Sequence, residues 1–158
     1  MKIPSSCFLL CIVSFFYCSA VKADVYKTGD SFVGFHALDQ HGVKFTFKPG
    51  DARFILFDTP SGGSPAAQPQ EPDWFAKHQA LLLINLTELS AFKRRFARSR
   101  LESKPFRLFV VDDKDVAARF TKSSGKFTVL LVDPQGKITE TRFVAPGKEL
   151  QTLLSQGK

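Results

Sequence analysis

Three cysteines are the only thiols in the chain, and their placement decides much of the possible chemistry. They are Cys7, Cys11 and Cys18, all inside one apolar N-terminal stretch. If that stretch is removed, the remainder has no thiol. Disulfides, thiolate metal sites, iron–sulfur clusters, covalent haem and thiol redox catalysis are then excluded. Other nucleophiles fare no better. Ser64 in Gly62-Gly63-Ser64-Pro65-Ala66 is a distant echo of a G-x-S-x-G elbow. That motif needs a strand running directly into a helix, and Pro65 with the Pro/Gln-rich residues after it breaks the pattern. The plainer reading is a loop serine. No G-x-G-x-x-G follows a strand, so neither a dinucleotide nor a flavin site is expected.

His36, His41 and His78 are spread along the chain without an i,i+4 pair, which speaks against a transition-metal site. Asp112, Asp113 and Asp115 form an acidic cluster after an apolar run. A calcium loop needs more oxygen ligands and a suitably placed glycine, so helix capping explains the cluster better. The chain is expected to hold no metal and no cofactor. The one strongly charged segment is basic: Lys93, Arg94, Arg95, Arg98, Arg100, Lys104 and Arg107. A solvated helix face accounts for it. The functional alternative is an anionic partner bound by Lys93, Arg94, Arg95 and Arg98, either a membrane headgroup, a polyanion or an acidic protein surface. Nucleic acid is disfavoured, since no recognition motif is present.

The elements that position these residues follow from periodicity. Residues 1–23 read as a secretory signal peptide: Lys2, an apolar run from Cys7 to Tyr17, then Val21-Lys22-Ala23 with small groups at −1 and −3. The run is shorter than the ~20 residues a bilayer span requires. Phe15-Phe16-Tyr17 before Cys18 does not suit lipidation, which wants small residues there. The expected product is a soluble periplasmic or secreted domain of residues 24–158, without an integral membrane segment. The full chain has 158 residues, 44% of them hydrophobic, and a formal charge of +7. That length suits one domain.

Strands are expected at 35–38, 43–47, 53–57, 80–84, 106–111, 127–132 and 137–144. The runs Arg53–Phe57 and Phe127–Val132 are apolar on both residue sets, as in strands covered on both faces. Thr59 to Pro72, rich in Pro, Gly, Ser, Ala and Gln, reads as a loop. A short helix is expected at 72–79. Another is expected behind Asn85, whose spacing to Glu88 resembles a capping box. It would bury Leu89, Phe92 and Phe96 on one face. Asn85-Leu86-Thr87 also matches a glycosylation sequon, and capping is the preferred role. Asp113–Phe120 and a C-terminal stretch burying Leu150, Leu153 and Leu154 complete the helices. Alternating strands and helices with a late hairpin at Asp133–Gly136 argue an α/β fold.

Three segments carry a resemblance. Gly29-Asp30-Ser31-Phe32-Val33-Gly34-Phe35 through Leu38-Asp39 to Gly42 is similar to a "G-D-x-x-P-x-F-x-L-x-D-x-x-G" opening. Gly125-Lys126-Phe127-Thr128 through Asp133 to Gly136-Lys137 is similar to "G-x-P-T-x-x-L-I-D-x-x-G-K". Both are openings and closings of the periplasmic thioredoxin-like and peroxiredoxin-like families, and Arg53–Phe57 resembles their central strand. The resemblance implies a three-layer fold with a central mixed sheet flanked by helices. It also implies an active-site loop at Asp58–Pro65, where Ser61 and Ser64, around Gly62 and Gly63, stand in place of the family's cysteines. Phe127 stands in place of its cis-proline. A serine hydroxyl cannot attack a disulfide as a thiolate does. A non-proline cis bond costs ~3 kcal/mol, so Phe127 is expected to be trans and buried near the loop. The chain also resembles a group of small exported bacterial proteins, some with a flavin-dehydrogenase label that no motif here supports. The expected role is a non-catalytic binding module for a protein or ligand. The alternative is an accessory subunit of a redox system, or a non-thiol enzyme.

Processing gives a first prediction. The protein exported by its native host should have an intact mass that begins at Asp24. A mass retaining residues 1–23, or a lipid on Cys18, contradicts the signal-peptide reading.

Overall fold

A computed structural model describes residues 24–60 and 71–156. The residues of the expected signal peptide and Ser61, Gly62, Gly63 and Ser64 lie outside this set. Seven strands and four helices follow in the order β1 (His36–Asp39), β2 (Lys44–Thr46), β3 (Phe54–Asp58), α1 (Trp74–Lys77), β4 (Ala80–Asn85), α2 (Ala91–Glu102), β5 (Phe109–Val111), α3 (Lys114–Ala118), β6 (Phe127–Val132), β7 (Ile138–Val144) and α4 (Lys148–Ser155). They build one sheet in the order β2-β1-β5-β4-β3-β6-β7. The three central strands β5, β4 and β3 are parallel, and all other pairings are antiparallel.

The pleat divides the core. Phe54 and Leu56 of β3, Leu82 and Ile84 of β4 and Phe127 and Val129 of β6 point to one side. There they meet Phe75 of α1, Ala97 and Leu101 of α2, and Leu150, Leu153 and Leu154 of α4. Ile55 and Phe57, Leu83, and Leu130 and Val132 point to the other side. They meet Tyr26, Phe32, Phe35 and Phe47 of the N-terminal segment, Ala117 of α3 and Phe120 beyond it. Helices, sheet and a second cover make three layers. The runs at 53–57 and 127–132 thus owe their continuous hydrophobicity to burial on both faces.

The second cover is mostly aromatic. Phe57 stacks on Phe120 at 4.1 Å between ring centroids, Phe32 stacks on Phe35 at 4.7 Å, and Phe47 meets Phe32 edge-on at 5.1 Å. Backbone bonds staple this segment to the β6–β7 hairpin. Gly29 N–H donates to the Ile138 carbonyl, Phe32 N–H to that of Gly136, and Ile138 N–H to that of Asp30. Gly136 sits at φ +83°, and a Cβ there would come 2.5 Å from Val33 Cγ2. Only glycine suits that close approach.

Three sequence expectations need correction. The strand expected at 106–111 is regular only over Phe109–Val111, because a side chain replaces its ladder. Gln40, itself buried, donates from Nε2 to the Phe106 carbonyl and accepts from Leu108 N–H at Oε1. The helix behind Asn85 starts later, at Ala91, capped by Ser90 accepting from Lys93 N–H. Its buried face is also different. Phe92 and Phe96 are 82% and 58% exposed. Arg94, Ala97, Arg98 and Leu101 are the half-buried positions. Of the expected face, only Leu89 packs on the core.

The Gln40 clamp predicts a clear cost. Gln40→Ala strips partners from a buried carbonyl and a buried N–H, so it should destabilise by about 2–4 kcal/mol. Chemical denaturation measures this, and a loss below about 0.5 kcal/mol contradicts the clamp.

Candidate functional site

The carboxyl ends of β3, β4 and β5 present three polar side chains side by side: Asp58, Asn85 and Asp112. Open α/β sheets place ligands at this edge. Asp58 ends β3 and lies beside Ile84 in the β3–β4 register. The antiparallel register Phe57↔Thr128 places the next position of β3, Asp58, against Phe127 at the head of β6. Phe127 thus lies against the end of β3, while Ser61, Gly62, Gly63 and Ser64 lie outside the described residues. Phe127 is 5% exposed and packs in the helical layer. No described peptide bond is cis, so Phe127 is trans, as its type dictates.

Asp58 is half-buried among apolar strand ends. Burial pushes its carboxyl up to about 6, and the hydrogen bond from Thr59 N–H offsets only part of this. Asn85 is fully buried and hydrogen-bonded at both ends of its amide. Its Oδ1 accepts from Thr87 N–H at 3.0 Å and from Thr87 Oγ1 at 2.8 Å, while Nδ2 donates to Thr59 Oγ1 at 3.3 Å. Asn85 therefore forms an Asx turn that closes β4, and it does not cap α2. It also ties that turn to the residue after Asp58. The buried Thr128 donates from Oγ1 to the Thr121 carbonyl, fixing the entry to β6.

Asp112 forms an ion pair with Arg98 of α2, and its Oδ1 is buried with no hydrogen-bond partner. Asp113 caps α3, accepting from Asp115 and Val116 N–H. Capping thus accounts for part of the acidic cluster. Arg94 donates from Nη2 to the Leu89 carbonyl at 3.3 Å, and its Nε is buried without a partner. The four cations singled out in the sequence therefore divide. Lys93 and Arg95 are exposed, whereas Arg94 and Arg98 turn toward the body of the domain. The expectation of a solvated basic face is corrected for Arg94 and Arg98, which are half-buried. Phe92 and Phe96 occupy the opposite line of the helix, and Arg100 lies over the Phe96 ring at 4.9 Å.

The histidines stay apart. His36 Nδ1 is 2.9 Å from Thr46 Oγ1, and His78 Nδ1 donates to the Trp74 carbonyl. Among the described residues no three His, Cys, Asp or Glu side chains converge on a metal position. No described helix is long and apolar enough to cross a membrane. Sequence reasoning missed Asp58 as a site residue, though its place at the end of an otherwise apolar strand was the available signal.

Asp58 gives a pH prediction with a definite sign. Its folded pKa lies above the unfolded value, so the folded state holds the proton more tightly. Its contribution is best below pH ~4 and is lost as pH rises through about 6. Asp58→Asn should therefore be more stable than the native chain by roughly 1–2 kcal/mol at pH 8, allowing for solvent screening. The gap should close near pH 4. Denaturant melts at the two pH values decide it; an equal gap at both contradicts the assignment.

The comparisons with known proteins agree with this architecture. No protein-family profile matches the chain, and no curated protein matches it. Solved structures do. A protein described as thiol:disulfide interchange protein DsbE from Chlorobium tepidum is similar at 18% identity, with a TM-score of 0.56, over 83% of this chain and 94% of that one. A peroxiredoxin-like protein from Aquifex aeolicus is similar at 13% identity, with a TM-score of 0.52, over 87% and 91%. The thioredoxin domain of a thiol-disulfide oxidoreductase from Bacteroides vulgatus is similar at 15% identity, with a TM-score of 0.51, over 83% and 97%. At these identities the likeness is one of fold, and the fold of this chain is thioredoxin-like.

Proposed function

We propose that this chain is an exported thioredoxin-like domain that works by binding a protein or ligand in the periplasm, without exchanging thiols and disulfides. One combination carries the reading. From Asp24 to Lys158 the sequence has no cysteine, and the buried trans Phe127 occupies the head of β6 beside the end of β3. A redox relative needs a thiolate and an open groove at that edge. Here there is no thiolate to supply, and an aromatic ring fills the strand end. Ser61, Gly62, Gly63 and Ser64 form the degenerate loop of this reading, and the basic helix α2 is its candidate contact with an anionic partner.

A second reading, a non-thiol enzyme, has one observation in its favour. Asp58, held near pH 6, could both give and take a proton at neutral pH. A small molecule retained in native mass spectrometry, and lost in Asp58→Asn, would favour it.

The test of the first reading is direct. The purified exported protein should match the buffer blank in insulin-reduction and peroxide-consumption assays, and it should co-purify with one stoichiometric partner from periplasmic extract. Redox activity that survives removal of contaminating oxidoreductases would overturn it.

A further inference from the structure

The roll of α2 is the opposite of what its apolar residues alone would choose. Phe92 and Phe96, one turn apart, stand along the outermost line of the helix at 82% and 58% exposure. Lys93, Arg95 and Arg100 are exposed on the shoulders of the same face, against one acid, Glu102. The helix cannot simply roll over to bury the rings. Its inner face is held by Ala97 and Leu101 on the core, by the Arg98–Asp112 ion pair and by Arg94 on the Leu89 carbonyl. The result is a convex aromatic ridge flanked by cations.

We propose that this ridge docks the domain on an anionic lipid bilayer. Phe92 and Phe96 enter the boundary between headgroups and acyl chains, and Lys93, Arg95 and Arg100 reach the lipid phosphates. The inference rests on the reading of the chain as a binding module and names the partner of α2. Charge and shape commit it to a bilayer. Three cations around two rings complement a negatively charged plane. A convex ridge enters a deformable lipid surface without a matching groove. Long basic side chains lay their stems along the rings and keep their charged ends at the interface, and Arg100 already lies over the Phe96 ring. Arg94 and Arg98 take no part, because they lie on the opposite line of the helix and are engaged by the Leu89 carbonyl and by Asp112. The contact is reversible, as two aromatic side chains and three charges are far weaker than a spanning helix.

The exported protein, beginning at Asp24, is tested by co-sedimentation with vesicles. One set is phosphatidylcholine alone, the other 3:1 phosphatidylcholine to phosphatidylglycerol. Binding is expected only to the anionic vesicles, and is expected to fall steeply between low and high salt. Lys93→Glu/Arg95→Glu/Arg100→Glu should abolish it, since each cation is worth roughly five-fold near such a surface. Phe92→Ser/Phe96→Ser should weaken it by about ten-fold or more at unchanged charge. All five positions are exposed, so thermal melts of the variants should match the native protein. Native protein that ignores anionic vesicles overturns the proposal, as does binding that survives loss of both rings. A parallel measurement on immobilised polyglutamate separates the two levels of the argument. Binding there without vesicle binding overturns the bilayer and keeps an anionic partner. Silence on both overturns α2 as a contact surface, and leaves the partner capture described above to judge the binding-module reading.

Discussion

Strand β3 has no solvent face. Ile55, Leu56 and Phe57 are essentially inaccessible and Phe54 nearly so, and the strand is flanked by β4 and β6 within the sheet. Each side of the sheet must therefore be covered along its whole middle. Burying such a side chain is worth ~1.5–3 kcal/mol, so an uncovered face would remove much of the net stability of a domain of this size. The rest of the chain is arranged around that requirement. Helices α1, α2 and α4 cover one face, and Tyr26, Phe32, Phe35, Phe47 and Phe120 cover the other. Rings that stack and meet edge-on supply both area and geometry.

The fold was legible in the sequence wherever one period dominated. The two-sided strands, the hairpin at Asp133–Gly136 and α4 with Leu150, Leu153 and Leu154 inward all followed from local pattern. What failed was set by side-chain hydrogen bonds that hydrophobic periodicity does not register. Phe106 and Leu108 look like strand residues, yet their hydrogen bonds go to the side chain of Gln40, 66 and 68 positions away. Asn85 has the spacing of a cap, but its Oδ1 is taken by Thr87, and Ser90 caps the helix instead. The Gln40 clamp has no signature near Phe106, whereas the Asn85 turn does, in Thr87 two positions on.

Helix α2 shows the same limit more sharply. It carries two interleaved stripes. Leu89, Phe92 and Phe96 form the more hydrophobic one, and Arg94, Ala97, Arg98 and Leu101 the less. Propensity and hydrophobicity both favour burying the first. The second wins because Ala97 lets the helix lie close to the core and Asp112, at the end of β5, takes Arg98. A single stripe read from sequence cannot register an acid that only the sheet brings near.

The candidate site was half legible. Phe127 was identifiable because a proline is missing from a position the resemblance defines. Asp58 was not, because its unusual proton affinity comes from the strand ends around it. Asp58 ends a strand whose other residues are buried and apolar, and a carboxyl half-buried there loses hydration. The raised pKa of Asp58 and the burial of Phe127 meet in the register where the end of β3 faces the head of β6. Among the described residues, the exposed face of α2 on the helical side of the sheet sets two aromatic rings beside cations that no acid of the same face neutralises in full.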